Sequence, residues 1–148
     1  MRYFALVISL CLIHLSAYAQ STTSSDLFQL GSKLNRHVVT LTDMYSSLSV
    51  TDQAFANTIT NATTIRAIQL INIGELLSIA ERMVDKSDWA VVHKSITNYK
   101  NLFDSSCIAN VQLINKSLGL ARSTAVVSEA EHLRDDLAAV CDRVKSMR

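Results

Sequence analysis

Proline is absent from all 148 residues, and glycine occurs only at Gly31, Gly74 and Gly119. With so few breakers, long helices can run uninterrupted. Strand signals are missing as well, because no stretch joins period-two alternation to an Asn-Gly or Asp-Gly turn. A surplus of one charge is also lacking: 14 Lys and Arg face 13 Asp and Glu. No basic excess therefore draws the chain to nucleic acid or to anionic lipid. The signatures of common chemistries are absent too. There is no Gly-x-Ser-x-Gly elbow, no His-Glu-x-x-His, no glycine-rich phosphate loop and no Cys-x-x-Cys. The expectation is an all-α protein that is not an enzyme and carries no cofactor.

What is present begins at the first residue. Met1-Arg2 gives a short positive start, Tyr3 to Leu15 is an almost unbroken apolar run, and Ala17-Tyr18-Ala19 closes it with small residues. That is the layout of a signal peptide over 1–19, cleaved after Ala19. An apolar run of about 13 residues falls short of the roughly 20 that cross a bilayer, so no membrane span is expected. Removing 19 residues from 148 leaves 129, enough for a single domain over 20–148 with its own core. Cleavage also removes Arg2, so 13 basic residues face 13 acidic ones. The expected location is extracellular, or periplasmic in a bacterium.

The cysteines agree with export. Cys11 leaves with the leader, while Cys107 and Cys141 remain as an even pair that matches no zinc spacing. A disulfide between them would close a loop of about 35 residues and add about 3.8 kcal/mol in the chain-entropy model.

Apolar residues recur at spacings of three and four along four segments, expected as helices over about 26–48, 52–85, 88–118 and 129–146. Leu27, Leu34, Leu41 and Met44 mark the first stripe, with Ser25 as its cap. Phe55, Ile59, Ile73, Leu77 and Val84 mark the second, which Thr51 would cap. Val92, Ile96, Phe103, Cys107 and Ile114 mark the third, and Gly119 would end it. Ser128 with Glu131 reads as a capping box opening the fourth, along which Leu133, Leu137, Val140 and Val144 repeat. Four such helices with short connections are expected to form an up-down-up-down bundle. Equal heights in the last hairpin bring Cys107 to Cys141 when its loop centres on residue 124, inside the expected connection.

Arg66 falls near the middle of the second apolar arc, where an unpaired charge is costly. Gln69 flanks it and Asn110 holds the same place on the third segment. Heights counted from the loops put Arg66 level with Cys107 and Leu34, within a turn of His37, Ser106 and Asn110. Two readings stay open. The polar layer holds a ligand's head group or fixes register, or Arg66 reaches water, by snorkelling out between helices or through a bend near Thr63-Thr64. Glu129 and His132 form one Glu-x-x-His step, but a metal-binding bundle needs a second, so no metal is expected. Asp135-Asp136 should be solvated. Tyr45, Trp89, Tyr99 and Phe103 should be packing residues, with the Tyr99 ring over Gly74.

Asn61-Ala62-Thr63 and Asn115-Lys116-Ser117 are glycosylation sequons, and both asparagines lie well off the apolar stripes. The function that fits is a secreted helical protein binding another extracellular protein, as an inhibitor or effector. The alternative is a carrier of a small apolar ligand held near Arg66 and Tyr99; a third is self-association into a coat.

Overall fold

The computed structural model describes residues 23–83 and 88–147. The cleavage site expected after Ala19, and the junction holding Val84, Asp85 and Ser87, lie outside them. Four α-helices account for most of the described residues: α1 (Ser24–Met44), α2 (Val50–Arg82), α3 (Trp89–Ser117) and α4 (Thr124–Ser146). Short 3₁₀ turns follow α1 at Tyr45–Ser47 and α3 at Leu118–Leu120. No strand occurs among the described residues. The chain is all-α.

The stripes become one continuous core. Leu27, Leu34 and Leu41 from α1 are fully buried against Ile59, Leu70 and Ile73 from α2, Phe103 and Ile114 from α3, and Leu133, Leu137 and Val144 from α4. Each side chain of this size contributes about 1.5–3 kcal/mol when taken out of water. Helix α1 packs on α2 and α4, and α3 packs on the same two neighbours. Cys107 and Cys141 join α3 to α4 as a disulfide pair, with Cα atoms 5.8 Å apart.

Helix ends depart from the sequence expectation wherever a cap has a distant or reciprocal partner. Thr23, not Ser25, caps α1: its hydroxyl accepts from the Asp26 amide at 3.2 Å while Asp26 accepts from the Thr23 amide at 2.9 Å. Only a three-residue spacing allows that exchange, which fixes the cap at Thr23. Ser49, not Thr51, caps α2, again three residues ahead of an aspartate, Asp52. Helix α1 stops at Met44 rather than near 48, because Gln53 folds back to donate to the carbonyls of Tyr45 and Leu48 at 3.1 and 3.2 Å. Ser123, not Ser128, caps α4, so that helix starts five residues earlier than expected. Buried Asp52 is the reason. Its Oδ1 accepts from the amides of Arg122 and Ser123 at 2.6 and 3.3 Å, pinning the loop against the start of α2.

The glycines also differ in role. Gly119 sits in the 3₁₀ turn and no described glycine has positive φ, so it is not a left-handed cap. Gly74 faces α1 rather than Tyr99: a Cβ there would lie 3.2 Å from both Phe28 and the Ser24 carbonyl oxygen. At Gly31 it would lie 3.2 Å from Ile71 and 3.3 Å from the Ala67 carbonyl oxygen. Both glycines let α1 and α2 approach closely. Of the four aromatic residues expected to pack, only Phe103 is buried; Tyr45, Trp89 and Tyr99 reach the surface.

Candidate functional site

The densest polar constellation is a cluster on the seam between α1 and α4. On α1, Lys33 and His37 stand four residues apart and therefore share a face. On α4, Glu129 and Asp136 are seven apart and share another. His37 Nδ1 lies 2.7 Å from Glu129 Oε1, and its Nε2 lies 2.9 Å from Asp136 Oδ2. Lys33 donates to the other Asp136 oxygen at 2.7 Å. Both carboxylates accept, so a ring with a proton on each nitrogen satisfies both at once. All three members of the ring contact are partly buried, and two turns beyond the Lys33–Asp136 pair Arg143 reaches Asp26 at 3.6 Å.

Burial opposes ionisation of Asp136, but hydrogen bonds from Lys33 and His37 outweigh it, and the carboxyl sits below its ordinary range. Asp136 is thus held in the seam and not solvated as expected; its neighbour Asp135 does face water, paired with Arg134 at 2.8 Å. Glu129 turns to His37, away from the Glu-x-x-His step with His132, which is exposed. The two carboxylates occupy opposite nitrogens of one ring and do not converge on a common point. The arrangement is suited to fastening α1 to α4. Opposite charges at four- and seven-residue spacings, each beside an apolar stripe, were the sequence signal for it.

The polar layer expected around Arg66 is only partly assembled. Helix α2 continues without a break through Thr63 and Thr64, and Arg66 is buried at 8% exposure rather than turned to water. Its guanidinium donates through Nη1 to Gln69. Its Nε is buried without a partner, as is Asn110 Nδ2 on α3. Burial lowers the Arg66 pKa from its ordinary value, and among the described residues no carboxylate pairs with it. His37 lies on the other seam, bonded to α4, so it is not part of this layer. Ser106 donates to the Leu102 carbonyl at 2.7 Å.

Elsewhere, hydroxyls are engaged with their own helices. Thr58, Thr63, Ser95 and Thr97 each donate to the carbonyl four residues back. His93 stacks against Trp89, ring centroids 3.5 Å apart. Asn61 and Asn115 are both exposed. Open clefts lie at Ser25, Phe28 and Arg36, and beside the disulfide at Asp104, Ile108 and Lys145; neither includes Arg66 or Tyr99. No protein-family model, curated protein or solved structure matches this chain.

Proposed function

We propose that the chain is exported through its first 19 residues, folds as one up-down-up-down bundle, and acts outside the cytosol as a non-enzymatic protein that binds another protein. Alternating direction is supported by paired residues along three of the seams. Along α3 and α4, Lys100 meets Met147, Cys107 meets Cys141 and Asn115 meets Arg134, so numbers rise on one helix as they fall on the other. Along α1 and α4, Asp26 meets Arg143 and Lys33 meets Asp136 in the same sense. Along α1 and α2, Ser24 meets Glu81 while Gly31 meets Ile71. The bonded cysteines fit an oxidising compartment.

One observation carries the binding reading: the outward face of α3. Val91, Tyr99 and Leu102 are 66%, 36% and 57% exposed. At 100° per residue they share an arc of about 80°. Large apolar groups grouped on one exposed face mark interaction surfaces more often than isolated ones do. The hydroxyls of Thr58 and Thr97 donate to their own helix carbonyls, His93 packs on Trp89 and His37 is held in the α1–α4 seam, which supports a role without catalysis for these groups. The test is a pull-down from the native extracellular fluid with the wild type and with Val91→Asp/Leu102→Asp. Recovery of one stoichiometric protein that the double variant loses is the expected result. Equal recovery by both, or none by either, overturns the reading.

The second reading, a carrier of a small apolar ligand, is favoured by the two buried donors without partners, Arg66 Nε and Asn110 Nδ2, which an acceptor group would satisfy. Native mass spectrometry showing a bare polypeptide, with no uptake of a fluorescent fatty acid, removes it.

A further inference from the structure

We propose that Asn61 carries an N-linked glycan, attached before α2 folds, and that this glycan covers an uncharged face of the helix. The inference rests on the export proposed above and extends it to a specific modification. Three observations carry it. The first is the acceptor itself, Asn61-Ala62-Thr63, with the Asn61 carboxamide exposed. Among the described residues it engages only Asn57, one turn back, at 3.3 Å.

The second is the surface around it. From Gln53 to Gly74, about 33 Å of helix, the one charged residue is Arg66, and it is buried. Ala54, Asn57, Thr58, Asn61, Ile65 and Ile68 are all exposed. At 100° per residue they fall within an arc of about 100°, with Asn61 near its centre. Ile65 and Ile68 are each about half exposed, one and two turns beyond Asn61. A soluble helix face normally carries charge; this one carries a sequon in its place.

The third is the state of Thr63. Its side chain is fully buried, with the hydroxyl donating to the Ile59 carbonyl at 2.7 Å. A sequon is read through the asparagine and the hydroxyl together. In an extended chain residues two apart point the same way, whereas on a helix they are about 200° apart. The folded protein therefore hides half of its own acceptor. Transfer must take place on the unfolded chain: the anomeric carbon of a lipid-linked diphospho-oligosaccharide bonds to Asn61 Nδ2, Nδ2 loses one proton, and the lipid diphosphate leaves with the electrons of the broken C–O bond. Asn115 is placed differently, beside Lys116 and bonded to Arg134 at 3.3 Å on a charged surface.

The test expresses the full chain in a eukaryotic secretory host, once behind its own first 19 residues and once behind a host leader, each as wild type and as Asn61→Gln. Digestion with a peptide:N-glycosidase should shift the mobility of wild type and leave aspartate at position 61. Asn61→Gln should lose that shift, any remainder being removed by Asn115→Gln. Unglycosylated folded protein offered to the transferase with its lipid-linked donor should stay unmodified, and the reduced, unfolded chain should be modified. A glycan with the host leader alone sustains this inference and sinks the export reading. An unmodified Asn61 behind both leaders overturns the inference, and equal modification of folded and unfolded chain overturns its timing.

Discussion

His37 sits between two carboxylates of one neighbouring helix, with Glu129 2.7 Å from Nδ1 and Asp136 2.9 Å from Nε2. The ring helps tie the first helix to the last, beside the Lys33–Asp136 and Asp26–Arg143 pairs. Removing it takes the ring contact away from two partly buried carboxylates. His37→Ala is expected to lose about 1–3 kcal/mol, measured by urea denaturation at neutral pH.

The same cluster gives a pH dependence. Asp136 has a folded pKa lowered from its ordinary 3.8, so its contribution is present above that value and is lost as pH falls through the folded pKa. Stability should therefore decline below about pH 4. Lys33→Ala with His37→Ala should flatten that slope, since the two donors to Asp136 are gone. Denaturation midpoints measured from pH 6 to pH 2 check this; an unchanged slope in the double variant refutes it.

Asp52 holds the loop before α4 through the amides of Arg122 and Ser123. Replacing it with leucine should accelerate hydrogen exchange at those two amides roughly tenfold or more, with Asp52→Asn intermediate because its carbonyl still accepts. Protection unchanged in both variants would show that the loop is held by other contacts.

Gly119 and Gly74 should separate by environment. Gly119→Ala meets nothing within 4 Å and should stabilise by about 0.4–1 kcal/mol. At Gly74 the new methyl meets a backbone oxygen at 3.2 Å, so overpacking of about 1–3 kcal/mol exceeds the helix-propensity gain of about 1 kcal/mol. Thermal unfolding of the two variants should shift in opposite directions.

Arg66 is buried without a carboxylate, so Arg66→Met is expected to leave stability unchanged or raise it. A loss of several kcal/mol in chemical denaturation would show that the guanidinium holds the fold through contacts beyond Gln69.

Periodicity made the helical class legible, because Leu27, Leu34 and Leu41 repeat at the helical interval and each ends fully buried. The cysteine pair was legible because heights in one hairpin follow from the loop between its helices. Other features depend on a partner the wheel cannot choose. Gly74 was matched to Tyr99 on the following helix, but its close approach is to Phe28 on the preceding one. Ser128 and Glu131 had the spacing of a capping box, yet Asp52, some seventy residues away in the chain, set the helix start at Ser123. His37 was placed in the layer around Arg66 by height alone, and charge complementarity with α4 took it to the opposite seam. In each case local sequence gave the face, and a contact distant in sequence gave the partner.

The most direct test of the whole account is peptide mapping of the protein as released from its native source, alkylated without reduction. The expected result is an amino terminus at Gln20 and one linked peptide joining Cys107 to Cys141. Alkylated thiols at both positions, or a released chain that retains residues 1–19, would contradict it.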